Sequence, residues 1–283
     1  MTAVIPRLET YPSLSPSGQY LVYSSNVDGV LRLYRRDLTT GEVLGLTQGE
    51  FEDSAASWSP DGTTIVFQRE DESGNRDIWS IDADGSNGRN LTSTPHVQEQ
   101  HPRYAPDGSA ILFDSNRPDS MKAGVPEEAQ NYDIYTKSLR TGAVTRLTAW
   151  DGWDMYPSLN RAMTHMVWRR TLPGRTPQER NFEIFVKDLR TGQEINLTNH
   201  EGYDSNPHWS PAGEWIVFVS NRAGSSDIYV MRPDGSDLQR LAAGAAGILG
   251  YARPSFSQDG KRIIANRVVA GVTDMVMIEF NAP

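Results

Sequence analysis

A Pro-x-x-Ser-Pro-x-Gly phrase, followed each time by an alternating apolar run, recurs in six copies along this chain, two of them exact and four with substitutions. A period of this kind constrains the fold more than any other feature, because it means stacked or ringed copies of one supersecondary unit. Tyr11 to Gly18 and Asn206 to Gly213 are the clearest copies, and the corresponding turn positions are 18, 62, 108, 163, 213 and 260. The spacing averages about 48 residues, so six units account for a single domain, 1–283.

Each unit reads as four short strands. The Pro-Ser strand ends at a Pro-Asp-Gly turn, and an alternating strand such as Thr64-Ile65-Val66-Phe67 follows. A third strand lies around Asp77-Ile78-Trp79 or Asp227-Ile228-Tyr229, and a last one closes on Leu-Thr at 46–47, 91–92, 147–148 and 197–198. Turn residues between period-2 runs are the hairpin signal. Four antiparallel strands per 40–50 residues are the blade of a propeller. The sequence therefore predicts an all-β, six-bladed β-propeller with blades at about 9–48, 53–93, 99–149, 154–199, 204–243 and 251–280. The last copy stops at Met277-Ile278-Glu279-Phe280 without a fourth strand. An N-terminal strand at 2–6, built on Ala3-Val4-Ile5, is expected to complete that blade and close the ring, removing an open sheet edge. Pro6 suits an edge position.

Ser59 to Gly62, Ser220 to Tyr229, Pro233 to Ser236 and the Leu-Thr ends resemble the WD40-like Pro-Asp (PD40) repeats of the TolB-like propeller family. The resemblance covers nearly the whole chain. It implies an interaction scaffold of exported type, periplasmic or secreted, without the additional N-terminal α/β domain of TolB. Related propellers stand beside the catalytic domain of prolyl-oligopeptidase-type peptidases, but no Gly-x-Ser-x-Gly nucleophile elbow occurs here. Oligogalacturonate lyases are also similar in their repeat units, and that likeness implies a His-rich metal site in the channel.

Composition excludes several other functions. With 27 Lys+Arg against 36 Asp+Glu the formal charge is −9, and no basic cluster offers a nucleic-acid footprint. There is no cysteine, hence no disulfide, thiolate-held metal or thiol nucleophile. No run approaches the roughly 18 apolar residues of a membrane span. Residues 1–7 carry neither the charged nor the apolar region of a signal peptide, and a monomer without membrane insertion is expected.

Strand two carries an arginine in five blades (Arg69, Arg117, Arg170, Arg222, Arg267), and strand three of the same blades opens on an acid (Asp77, Asp133, Glu183, Asp227, Asp274). Blade 1 lacks both. An Arg–carboxylate pair between these two strands is the expected reading.

The first strand of a propeller blade lines the channel. Three residues before its proline stand Glu9, Asp53, Glu99, Asp154, Asp204 and Tyr251; one residue before stand Tyr11, Ala55, His101, Tyr156, Asn206 and Arg253. Period-2 alternation puts both sets on one side, predicting an acidic ring above the channel. Two charges about 8 Å apart interact by roughly 2 kcal/mol at an effective dielectric near 20, so five carboxylates need an offset. Arg253 supplies part. A divalent cation, Ca²⁺ or a transition metal, on Glu9, Asp53, Glu99, His101, Asp154 and Asp204 is one source of the rest, and a partner's cationic groups are another. The alternative is that these acids only bond backbone amides. Tyr11, Trp153, Tyr156, Asn206, Tyr251 and Arg253 form the candidate ligand-binding set, and the long connections at 118–130 and 171–180 are expected to overhang it. Two functions follow: a non-catalytic scaffold binding a protein, peptide or small ligand, with or without a cation, or a metal-dependent carbohydrate-active enzyme working at Glu99, His101, Asp154 and Tyr156.

Overall fold

The computed structural model describes residues 8–117, 131–172, 181–244, 248–270 and 272–282. Blade 1 is β1 (Glu9–Leu14), β2 (Tyr20–Ser25), β3 (Arg32–Asp37) and β4 (Val43–Gly45); blade 2 is β5 (Glu52–Trp58), β6 (Thr64–Glu70), β7 (Arg76–Asp82) and β8 (Arg89–Asn90). Blade 3 comprises β9 (Glu99–Tyr104), β10 (Ala110–Ser115), β11 (Asp133–Ser138) and β12 (Val144–Arg146); blade 4 comprises β13 (Asp154–Leu159), β14 (His165–Leu172), β15 (Asn181–Asp188) and β16 (Glu194–Asn196). In blade 5 the strands are β17 (Asp204–Trp209), β18 (Ile216–Ser220), β19 (Asp227–Met231) and β20 (Gln239–Ala242), and in blade 6 they are β21 (Ile248–Phe256), β22 (Arg262–Val269) and β23 (Val272–Glu279). Within every sheet the strands pair in chain order, and all these pairings are antiparallel.

The hairpin after each first strand shows why the repeat reads as it does. Gly62 has φ +73°, a left-handed conformation that glycine adopts without a Cβ penalty. The preceding Asp61 accepts Ser59 Oγ at 2.6 Å and the Thr63 amide at 3.0 Å, fixing the turn from within. Blade 4 departs from the pattern: Met163 takes the left-handed position at φ +54°, and Asn160 Oδ1 accepts the amides of Thr164 and His165 instead.

Strand two is apolar on both faces because it sits between two neighbouring sheets. Ile65 and Phe67 pack toward blade 1 with Val22 and Leu33, while Val66 joins Ile111 and Phe113 of blade 3. Full burial of such a side chain contributes about 1.5–3 kcal/mol. Six clusters of this kind fill the six blade interfaces, the last joining Ile264 of blade 6 to Leu21 and Tyr23 of blade 1. The ring therefore closes through packing. It also closes through backbone and side-chain bonds: Leu8 bridges Thr273, and Asn266 of β22 donates to the Glu9 carbonyl at 2.8 Å. Among the described residues blade 6 has three strands, and the expected closing strand at 2–6 lies outside them. The connection at 118–130 and most of the one at 171–180 also lie outside the described residues.

Candidate functional site

Each first strand carries a one-residue bulge just before or at its proline. The register slips between Thr10 and Ser13, Ser54 and Ser57, Met155 and Ser158, Ser205 and His208, and Ala252 and Ser255. In blade 3 the slip falls between Gln100 and Arg103, opposite Asp114 and Leu112. The residue preceding the proline, or its counterpart Ala55, is left-handed in all six blades: Tyr11, Ala55, His101, Tyr156, Asn206 and Arg253 have φ between +51° and +60°. These are non-glycine residues, and the conformation aims their side chains into one small void of about 40 Å³ on the channel axis.

The bulge also overturns the predicted acidic ring. It cancels the period-2 relation, so the acids two residues upstream point into the blades rather than along the channel. Asp53 binds Arg69 through two bonds of 2.7 and 2.8 Å, Asp154 binds Arg170 at 2.8 and 2.7 Å, Asp204 binds Arg222 at 3.1 and 3.0 Å, and Glu99 pairs with Arg117. These four carboxylates have at most 1% side-chain exposure. The expected pairing of strand-two arginines with strand-three acids is thus corrected in four blades. Arg69 lies across from both Asp53 and Asp77. In blade 2 the strand-one acid, the more completely buried of the two, takes the guanidinium. Asp77 is served by neutral donors instead, Asn90 Nδ2, Thr92 Oγ1 and the Thr94 amide. That explains the Leu-Thr ending: its threonine hydroxyl anchors strand three, as Thr148 does on Asp133 and Thr198 on Glu183. Blade 6 has Tyr251 in place of the acid, and there Arg267 does bind Asp274, at 2.7 Å.

The predicted cation ligands are consequently not brought together as one donor set. Among the described residues no three His, Asp or Glu side chains converge on a metal position. Glu9, in the blade without a strand-two arginine, is buried at 8% exposure.

What converges instead is aromatic and cationic. The His101 ring lies 4.0 Å from Tyr156 and 6.2 Å from Tyr11. Arg253 stacks over Tyr11 at 3.8 Å, and Arg169 over Tyr156 at 4.8 Å. His101 Nδ1 lies 3.0 Å from Asp114, which also accepts the Tyr156 amide. Burial pushes the His101 pKa down and outweighs the pull of Asp114, so the ring stays neutral at pH 7. Burial also pushes the Tyr156 phenol well above its ordinary range. Of the remaining candidates, Trp153 meets Tyr132 edge-on at 5.9 Å and Tyr251 lies opposite Arg267 in the ladder, both outside the small void. Trp150 is structural: its Nε1 donates to the Thr171 carbonyl and its ring faces Arg170.

Sequence reasoning missed the wider part of the channel. Toward the Pro-x-Gly turns it opens into a cavity of about 450 Å³, whose wall includes Ser13, Ser57, Arg103, Ser158, His208 and Ser255. The signal was available: these six follow the strand-one proline, or its counterpart Ala56, in every repeat.

The description "TolB beta propeller domain" (PD40) fits residues 6–159 and again 130–282. The chain belongs to the TolB β-propeller family. This TolB-family chain is 31% identical over 118 residues to an uncharacterized protein of Agrobacterium fabrum, a match covering 40% of each chain. It spans 13 to 40% of the length of the first curated relatives. A putative TolB from Agrobacterium tumefaciens has a similar structure, with a TM-score of 0.68, 21% identity, and coverage of 98% of this chain and 92% of that one. An oligogalacturonate lyase in complex with manganese reaches 0.67 at 15% identity, with coverage of 98% and 90%. Both likenesses concern the fold.

Proposed function

We propose that this TolB-family propeller is a non-catalytic, monomeric binding scaffold of exported type, which takes a segment of a protein or peptide partner at the face formed by Tyr11, Tyr156, Asn206 and Arg253. One observation carries the reading. The acids of this face are already neutralised inside their blades, so it offers stacked aromatic rings and the Arg253 guanidinium for docking, with no group of three metal-ligating side chains among the described residues. Tyrosine and arginine are the residues that most often anchor interfaces. Trp153 and Tyr251 extend the surface around it.

The test is selection from a displayed peptide library on the purified protein, with enriched peptides titrated against wild type and Arg253→Ala. The expected result is enrichment of a common motif whose binding weakens by about tenfold in the variant. Failure to enrich any motif, or equal binding by Arg253→Ala, would sink the reading. The likeness to a manganese-containing lyase motivates a second assay, oligogalacturonate cleavage with and without Mn²⁺. Cleavage abolished by His101→Ala would replace the scaffold with a metal-dependent enzyme.

A further inference from the structure

We propose that the cavity at the Pro-x-Gly end of the channel is a binding site for an apolar monocarboxylate, held by the guanidinium of Arg103. The inference does not rest on the docking reading above, although the small void and this cavity share Ser13, Ser57, Arg103 and Ser255 in their walls.

Arg103 lacks a counter-charge, as Arg169 and Arg253 do, but unlike those two it has neither a hydrogen bond nor an aromatic ring beside it among the described residues. The four strand-two arginines described above each hold a buried carboxylate, whereas Arg103 has no ion pair or hydrogen bond among the described residues. Burial alone acts on it, lowering its pKa to about 10, so it remains charged at pH 7. Arg103 is half-buried and open to the cavity, and a planar carboxylate is the group that best satisfies its fork.

The other polar groups of the wall suit an oxyanion. The hydroxyls of Ser13, Ser57 and Ser255 have no hydrogen-bond partner among the described residues, and Ser158 Oγ only accepts the Trp209 amide, so all four have a proton to donate. His208 is held neutral, its pKa lowered to about 3 by burial and by Arg103. Asp107 and Arg161 also reach the wall; both are exposed and opposite in sign. Apart from those two, the wall carries one net positive charge. A monoanion cancels it, while a dianion leaves one charge uncompensated.

The remaining wall is mixed: Leu14, Trp58, Leu159, Trp209 and Phe256 supply apolar surface for the body of the ligand, and Ser59, Tyr104, Ser210 and Gln258 are polar. A volume of about 450 Å³ falls in the range of small-ligand pockets. The occupant implied is a carboxylate on an apolar body, either a free acid or the C-terminus of a chain ending in an apolar residue.

Isothermal titration at pH 7 and constant ionic strength tests this with hexanoate, methyl hexanoate and hexyl phosphate as probes. Hexanoate is expected to bind wild type, with methyl hexanoate weaker by about tenfold or more, and Arg103→Gln to lose affinity for the acid by a similar factor. Arg103→Lys should fall between the two. The acid–ester comparison needs no variant, so it decides the matter even if Arg103→Gln misfolds. No binding of hexanoate, equal binding of acid and ester, or tighter binding of hexyl phosphate than of hexanoate overturns the proposal. A short peptide with a free or an amidated C-terminus then separates the two sources. Preference for the free peptide acid over hexanoate assigns the site to a chain end, and preference for hexanoate assigns it to a free acid.

Discussion

Replacing Arg170 by methionine removes the counter-charge of Asp154 and keeps a side chain that fills much of the same space. The Asp154 side chain has no exposure and that of Arg170 has 7%. The guanidinium lies 4.7 Å from the Trp150 and Phe185 rings and 5.2 Å from Trp168, and a thioether packs well against such rings. The loss is therefore mainly electrostatic, and stripping one partner from a buried pair costs about 3–5 kcal/mol. At about 2.1 cal/mol/K per residue, 283 residues have an unfolding entropy near 0.6 kcal/mol/K, so Tm should fall by about 5–8 °C. Arg267→Met is the control, because Arg267 and Asp274 are 36% and 40% exposed and an exposed pair contributes about 0–1 kcal/mol. Acidity adds a second signature. Burial already raises the Asp154 pKa against the pull of Arg170, and without the arginine it rises further. A carboxyl whose folded pKa is raised binds protons in the folded state first, so acidification relieves its penalty, by about 1.4 kcal/mol per pH unit at most. Melting of both variants and wild type, followed at pH 7 and pH 5, checks both points. If Arg170→Met melts within about 2 °C of Arg267→Met at pH 7, or its deficit fails to shrink at pH 5, the account of the strand-one acids is wrong.

Three further outcomes are expected. His208 stays neutral in the fold down to about pH 3, while the unfolded chain protonates it below 6.5. Stability should therefore drop as pH falls from 6.5, by about 1.4 kcal/mol per unit from this group, and His208→Asn should flatten the fall in urea midpoints between pH 6.5 and 4.5. The turn aspartates Asp61, Asp107 and Asp259 have pKa values lowered below 3.8 by hydrogen bonds from Ser59, Ser109 and Ser257 respectively. Their contribution is present above pH 3.8 and lost as pH falls through the lowered values, so a triple Asp→Asn variant should show a shallower loss below pH 3.8 in the same titration. Gly85→Ala places a Cβ 2.8 Å from the Leu46 carbonyl oxygen, whereas Gly142→Ala meets nothing within 4 Å. Both residues are left-handed, so they share a backbone cost of about 1–2 kcal/mol, and only Gly85→Ala should lose markedly more in a denaturation curve.

The blade repeat was legible, apart from the closing strand, because its signals are local: a turn that needs glycine or asparagine, strands that alternate, and a Leu-Thr ending. The channel residues were legible in part. Tyr11, His101, Tyr156, Asn206 and Arg253 do meet on the axis, since all share one offset from the proline. The acids at the next offset do not, because a bulge adds a residue to the strand and alternation counts across it wrongly. Non-glycine residues such as Tyr11 and Tyr156 give no sequence cue to a left-handed backbone. The partner of Arg69 was equally hidden, since Asp53 and Asp77 flank it symmetrically in the ladder and only burial separates them.

The six blades agree where they build the ring and differ where they face the channel. Acids recur at one offset, strand-two arginines at another, and threonine closes four of the blades. The axial positions, by contrast, read Tyr, Ala, His, Tyr, Asn and Arg before the proline or its counterpart, and Ser, Ser, Arg, Ser, His and Ser after it. Equivalent positions in a ring have similar backbone environments, so packing alone gives no reason for five kinds of side chain in the first set. The second set is more informative. Four serines show that a small polar group satisfies the fold at that offset, which makes Arg103 and His208 departures that the blade does not require. An unpaired arginine at a position where serine suffices is best explained by what it holds. Arg103→Ser should therefore leave melting equal to or above wild type in the absence of a carboxylate, and abolish the stabilisation that hexanoate gives to wild type. A large loss of stability without ligand would show instead that Arg103 serves the fold.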